Sequence, residues 1–184
     1  MKIQCDDLRE GELHLSFSYE PEQFPVLSEI SVVGDCEFPD PIVFSLRARM
    51  TAGLVEVGGE FRTRLRLTCS RCLKAFDTER TASVALAYSP EPSENMPWTE
   101  NGELEVSAEE AGLIPYGGDE IDLLEGLQEQ VILSIPYRTL CRDTCKGLCP
   151  KCGTDLNQRD CQCREESGDP RFEALKHLKL PEGT

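Results

Sequence analysis

Six cysteines crowd into the segment CRDTCKGLCPKCGTDLNQRDCQC, at Cys141, Cys145, Cys149, Cys152, Cys161 and Cys163. Its centre, Cys149-Pro150-Lys151-Cys152-Gly153, has the form of a zinc knuckle. Two residues between cysteines let both thiolates face one ion across a tight turn. The glycine that follows permits the backbone conformation that points amide N–H groups at the sulfurs. A tetrahedron needs a second pair, and Cys141 with Cys145 lies just before the knuckle, Cys161 with Cys163 just after it. The expectation is one structural Zn2+, held by Cys149 and Cys152 with two of Cys141, Cys145, Cys161 and Cys163. Which two is left open. A Cys-x-Cys pair chelates with more strain than Cys-x-x-Cys, so Cys161 and Cys163 need not both bind. The spacing does not match that of a bridged two-zinc cluster using all six. Free reduced thiols and an iron–sulfur cluster are the competing readings, the latter because it also takes thiolate-only ligation.

A catalytic zinc commonly keeps three protein ligands, often His, and an open position beside a general base. The chain has two histidines, His14 and His177, and neither lies in the cysteine segment. A closed all-thiolate site follows, in which metal replaces the apolar core that so short a segment lacks.

A second pair, Cys69-Ser70-Arg71-Cys72, follows a run in which Arg62, Arg64 and Arg66 alternate onto one face. With Arg71 and Lys74 these make the most basic spot of the N-terminal part, a candidate contact for RNA or another partner. A solvated strand face paired with neighbouring acids fits the same charges somewhat better. The pair itself has three readings. A redox dithiol is weakened by its position after a strand, since thioredoxin-type motifs sit at a helix start. It also serves as two ligands for a metal site completed by the C-terminal cysteines, a second candidate thiol site. As an isolated pair, a structural turn with inert buried thiols is the favoured reading. Cys5 and Cys36 carry no motif and read as core or surface residues.

The elements that position these residues are mostly strands. Short alternating runs between turn residues predict strands at ELHLSF (12–17), SEISVV (28–33), PIVFSLRARM (41–50), GLVEV (53–57), EFRTRLRLT (60–68) and TASVALAY (81–88), with a hairpin turn at Gly58-Gly59. Residues 1–88 then form an antiparallel meander or partial barrel. Residues 89–102, SPEPSENMPWTENG, read as an acidic proline-rich loop carrying the only tryptophan, Trp98. ELEVS (103–107) suggests a short strand. Leu124, Leu127, Val131 and Ile135 recur at helical spacing, with Asp119 or Asp122 as cap and Pro136 as stop. A last helix begins at Asp169-Pro170 and places Phe172, Leu175 and Leu178 on one stripe, with His177 as a cation near its end. The fold class expected is α+β: an antiparallel sheet, two helices and a zinc-knuckle segment between them. Residues 103–184 pack with the β region as one domain.

The chain of 184 residues carries a formal net charge of −15. That balance is wrong for a general nucleic-acid binder, which needs a basic face. Residues 81–137 hold twelve Asp or Glu and no Lys or Arg, whereas residues 138–179 hold nine Lys or Arg against seven Asp or Glu. An acidic body of this kind repels bare RNA and attracts basic proteins. No apolar run approaches the roughly 20 residues that span a membrane, and the N-terminus lacks an apolar signal core. The reading is a soluble cytoplasmic protein with no membrane and no small-molecule substrate. No nucleophile–base constellation can be assembled, so no enzyme is expected. The rival reading is a zinc and thiol redox-switched chaperone, suggested by the mixture of Cys-x-x-Cys and Cys-x-Cys.

Four segments, LTCSRCLKAF (67–76), EIDLLEGLQEQVILSIPYRTLC (120–141), CKGLCPKCGTDLNQRDCQC (145–163) and DPRFEALKHL (169–178), resemble the YceD family in order and spacing. These are the large ribosomal RNA subunit accumulation proteins. The resemblance spans about residues 29–180 and is most specific around the cysteine segment. It implies a non-enzymatic role in ribosome biogenesis, in the accumulation or processing of large-subunit ribosomal RNA, in bacterial cytoplasm or plastids. The partner it implies is that RNA or its precursor, or a basic ribosomal protein. The family is not uniform in its C-terminal cysteines, which implies that they stabilise the fold.

Overall fold

The computed structural model describes residues 1–33, 36–51, 53–91 and 112–163. The expected strand at 103–107, Trp98, and the expected helix from Asp169 with His177 lie outside the described residues.

A short strand β1 (Lys2–Gln4) leads into helix α1 (Cys5–Arg9), then β2 (Leu13–Tyr19) and helix α2 (Pro25–Val33). Strands β3 (Cys36–Glu37), β4 (Ile42–Thr51), β5 (Leu54–Thr68) and β6 (Ala75–Pro90) follow. The described chain continues with β7 (Ile114–Tyr116), β8 (Glu120–Asp122) and helix α3 (Leu124–Ser134). The main sheet has the order β2-β4-β5-β6-β7, with β3 paired to β5 beyond the end of β4. It is open. All its pairs are antiparallel except β6 with β7, which is parallel, and β1 pairs with β8 in a separate ribbon. The class is α+β as expected, although the simple antiparallel meander is not.

Strict alternation builds the sheet. Along β4 and β5, Ile42, Phe44, Leu46, Val55, Val57, Phe61, Leu65 and Leu67 are buried on one face, while arginines and polar residues face water. Phe17 stacks on Phe44 with ring centroids 5.2 Å apart, and Phe24, Phe44 and Phe61 extend the aromatic contacts inward. Leu27 of α2 and Leu127 and Val131 of α3 close the core, and Gln128 accepts the Val26 N–H at 2.9 Å, joining the two helices.

Several expectations are corrected here. SEISVV is the body of α2, not a strand. Pro25 at the first helical position and buried or half-buried Phe24, Leu27 and Ile30, three residues apart, outweigh its β-branched composition. Nor do Gly58 and Gly59 turn a hairpin; they lie inside β5, which merges two expected strands into one. The reversal comes earlier, where Thr51 pairs with Leu54 and Gly53 adopts φ +85°. The expected stop of α3 holds, since the helix ends at Ser134, before Pro136; its N-cap is Leu123 rather than Asp119 or Asp122, although Asp122 Oδ1, one residue earlier, accepts the Leu124 N–H at 3.0 Å. Ser89 and Pro90, assigned to the loop by sequence, complete β6.

Candidate metal centre

Strands β5 and β6 form the longest hairpin of the sheet, paired from Val55 opposite Tyr88 to Thr68 opposite Ala75. The loop at its tip is Cys69 to Lys74. In that loop the Cys69 N–H donates to the Lys74 carbonyl at 2.9 Å, and the Leu73 N–H donates to the Cys69 carbonyl at 2.9 Å. The segment Cys149 to Thr154 repeats this arrangement: Cys149 N–H to Thr154 carbonyl at 2.8 Å and Gly153 N–H to Cys149 carbonyl at 2.9 Å. The residue after the second cysteine is left-handed in both, Leu73 at φ +57° and Gly153 at φ +71°. The chain therefore contains two knuckles of one design, one at a hairpin tip and one in the C-terminal segment.

Each knuckle acquires a second pair. Cys69 and Cys72 meet Cys141 and Cys145, and Cys149 and Cys152 meet Cys161 and Cys163. Within each group all four sulfurs lie within 4.8 Å of one another. Cys69 and Cys145 sulfurs are 3.9 Å apart, Cys72 and Cys141 sulfurs 3.8 Å. Four sulfurs at about 2.3 Å from one ion stand about 3.8 Å apart along the edges of a tetrahedron. A single ion fits this spacing; an iron–sulfur cluster interposes several atoms and holds its thiolates wider. The expectation of one ion drawn from six cysteines is thus corrected to two four-cysteine groups that use eight. Cys69 and Cys72 are ligand candidates rather than an isolated turn. The two unassigned cysteines, Cys5 and Cys36, are buried in the sheet core, where burial pushes the Cys36 thiol up to about 11.

The electrostatics favour a cation. Burial raises the Cys69 thiol, but N–H groups of Cys141, Cys72 and Arg71 donate to its sulfur and bring it down to about 6. The Thr154 hydroxyl and N–H bring Cys152 to about 6 as well. Their neighbours move the other way: burial and then the Cys69 sulfur push Cys141 to about 12, while the Cys152 sulfur and then burial push Cys163 to about 12. Backbone N–H groups of Cys152 and Lys151 lower Cys149 too, so thiolates form readily at Cys69 in the first group and at the knuckle pair in the second, and they resist ionisation of the thiols beside them. A divalent ion relieves that opposition by attracting all four thiolates and offsetting half of their charge.

The two groups are bolted together. Arg71 Nη1 donates to the carbonyls of Cys145 at 2.7 Å and Asp143 at 3.3 Å. Lys74 pairs with Asp155 at 2.6 Å, which holds that carboxyl down at about 2. Asn157 donates to the Cys145 sulfur at 3.5 Å and to Asp155 at 2.8 Å, and its oxygen accepts the Lys146 N–H at 2.8 Å. Gly147, at φ +77°, packs so closely on the tip loop that a Cβ there would lie 2.9 Å from the Arg71 carbonyl oxygen. Thr139 ties the chain after α3 to the hairpin, donating to the Thr68 carbonyl at 2.7 Å and accepting the Ser70 N–H at 2.8 Å. Apolar support is thin: Phe76, Leu140 and Leu148 surround the first group. In the second group Cys152 and Cys163 are exposed.

The arginine face expected on β5 is present. Arg64 pairs with Asp40 at 3.2 Å, and Arg66 grips Asp77 with two bonds of 2.8 and 3.2 Å. Arg62 has no ion pair among the described residues. Arg71 and Lys74, grouped with these by sequence, serve the metal module, although both remain partly exposed.

Leu73 is the single non-glycine residue with positive φ among the described residues, and its side chain is 65% exposed. Its left-handed backbone costs about 1 kcal/mol that glycine does not incur. Leu73→Gly is expected to retain full metal content and to match or exceed the wild-type denaturation midpoint. A midpoint lowered by more than about 1 kcal/mol would mean that the leucine side chain packs against something else.

Comparison with known proteins locates this architecture. The family model for the large ribosomal RNA subunit accumulation protein YceD matches residues 57–179. The chain is 26% identical over 162 residues to the chloroplastic large ribosomal RNA subunit accumulation protein YCED homolog 1 of Arabidopsis thaliana, covering 78% of this chain and 50% of that protein. The Zea mays counterpart is 24% identical over 143 residues, covering 67% and 49%. An uncharacterized protein of Mycobacterium tuberculosis is 29% identical over 114 residues, covering 62% and 50%. The chain spans about half the length of these curated relatives. No solved structure matches. Among the described residues no helix is long and apolar enough to cross a membrane. The matched region takes in the β5–β6 hairpin from Val57 onward, α3 and all eight clustered cysteines, and the chain belongs to the YceD family of large ribosomal RNA subunit accumulation proteins.

Proposed function

We propose that this chain is a non-enzymatic cytoplasmic factor that supports accumulation of large-subunit ribosomal RNA by contacting a basic ribosomal protein during subunit assembly. Two zinc ions, one per cysteine group, hold its hairpin tip and C-terminal segment together. The family match over residues 57–179 carries this reading, because it covers most of β5, all of β6 to α3 and the cysteine groups rather than a short motif. Charge supports the choice of partner: twelve acids and no Lys or Arg over residues 81–137 favour a cationic surface over phosphate. Arg64 and Arg66 are occupied by Asp40 of the β3–β4 connection and Asp77 of β6, which leaves less of the arginine strand for RNA. The non-enzymatic reading draws support from the histidine described, His14, which is exposed and whose ion pair among the described residues is with Glu12 at 3.3 Å.

The test is a pull-down from lysate and from purified components at moderate salt, followed by depletion of the protein in cells. Large-subunit precursors and at least one isolated basic ribosomal protein should be retained, and depletion should lower the ratio of large- to small-subunit ribosomal RNA. If the intact metal-loaded protein retains neither precursors nor basic ribosomal proteins, the proposal fails. Retention of naked RNA alone would transfer the contact to Arg62 and its neighbours.

A further inference from the structure

Away from the cysteines, the strands and helix that flank β8 enclose an open groove of about 720 Å³. Tyr88 of β6, Tyr116 of β7, Glu120 and Asp122 of β8, and Glu125 and Glu129 of α3 line it. The acids differ in how far they are satisfied. Asp122 already holds the N-terminal ammonium at 3.0 Å and Glu120 holds Lys2, so this rim binds cations from its own chain. Glu125 and Glu129 are exposed and have no ion pair among the described residues. They stand at i and i+4 on one helix face, a like-charge arrangement that destabilises a helix until a cation relieves it.

A second feature points into the same groove. Tyr88 is 1% exposed, yet its hydroxyl has no hydrogen-bond partner among the described residues. A buried hydroxyl left without a partner is a cost that folding ordinarily avoids. Burial, then Asp122, Glu129 and Glu125, push this phenol upward, so it stays protonated and neutral. A neutral phenol can accept a hydrogen bond from an ammonium or guanidinium while donating to a carboxylate.

We infer that this groove is a docking site for a lysine or arginine side chain of a basic protein segment, gripped by Glu125 and Glu129 with the Tyr88 hydroxyl as acceptor. Tyr116 supplies an aromatic wall suited to the same cation. This deepens the proposed function and rests on it for the identity of the partner, since an assembly factor that handles a basic protein needs a place for its cations. Phosphate is repelled by four carboxylates in one groove.

The experiment uses the full metal-loaded chain and a fluorescent arginine- and lysine-rich decapeptide, followed by anisotropy at about 0.15 M salt. Glu125→Gln with Glu129→Gln should weaken binding about tenfold. Tyr88→Phe should weaken it about threefold without lowering the melting temperature, because the variant removes an unpaired hydroxyl rather than a bond. Glu60→Gln with Glu79→Gln, on the outer face of the sheet, should leave binding within twofold. The inference is overturned if the groove pair binds as the wild type does, or if the outer-face pair loses as much. A wild-type chain that retains large-subunit precursors but shows no affinity for the peptide also overturns the groove, and leaves the assembly reading standing. Peptide binding that depends on Glu125 and Glu129, in a chain that ignores precursors, upholds the groove and removes the assembly reading.

Discussion

Elemental analysis of the reduced chain is expected to find two zinc ions per chain, and Cys69→Ser with Cys72→Ser should lower this to one. The expectation rests on eight thiols gathered in two groups whose sulfur spacings suit a single ion each. Thiolate-only ligation, closed geometry and hydrogen bonds to the sulfurs are the marks of structural zinc, whose binding in isolated peptides is worth about 10–16 kcal/mol at neutral pH. Removing both ions with a strong chelator should therefore release the segment from 139 to 163, which has little apolar core of its own. The sheet should survive, because its core of Phe44, Phe61, Leu65, Val84 and Leu127 does not depend on the cysteines. The combined signature is new protease cleavage between 139 and 163 with the strand circular-dichroism signal largely retained. One zinc per chain, unaffected by the Cys69 and Cys72 substitutions, would return the hairpin tip to a turn with free thiols.

Gly59→Ala is expected to destabilise the fold by about 3 kcal/mol, and Gly58→Ala by less than about 0.5 kcal/mol. The two glycines are neighbours in β5, yet only one is crowded. A Cβ on Gly59 would lie 2.2 Å from the Ser45 carbonyl oxygen and 2.8 Å from the Leu46 Cα, and the residue sits at φ +150°. Both obstacles are backbone of β4 at the point where Leu46 pairs with Gly59, so relief would require opening the ladder at the centre of the sheet. A Cβ on Gly58 would approach nothing closer than the Val84 carbonyl oxygen at 3.8 Å. Urea denaturation of the two variants gives the comparison directly. Equal midpoints would mean that β4 shifts freely to make room.

That glycine pair shows where sequence reading reached and where it stopped. Two adjacent glycines between alternating runs look like a turn, and only the register shows that they sit where β4 presses close. The outward arginines of β5 and the inward face of α3 were legible, because alternation and helical spacing are local properties of the chain. Helix α2 was not, because valine, isoleucine and serine suggest a strand and the signals against it, Pro25 and the spacing of Phe24, Leu27 and Ile30, are few. The knuckle at Cys149 and Cys152 was legible from its spacing and its glycine. Its twin was hidden by Leu73, which occupies a glycine's conformation without being one. That Cys69 and Cys72 join C-terminal cysteines was one reading among three, and which cysteines they meet could not be read, since Cys145 and Cys141 lie 76 and 69 residues away and meet them only once the hairpin has formed.

The same separation sets an order of events as the chain folds. All ligands of the second group lie between 149 and 163, so this short stretch can capture an ion while the rest is still unfolded. The first group joins the hairpin tip to chain that follows α3, and closing a loop of 69 residues costs about 4 kcal/mol of chain entropy. Such contacts are slow to form, and they come late unless the elements between them have already brought the ends together. An ion in the first group would therefore act as a latch, held at full strength only after the sheet, α3 and the Thr139 contacts are in place. Once closed, it opposes unraveling from that end, so its slow release on dilution into chelator would report global opening of the hairpin rather than local fraying.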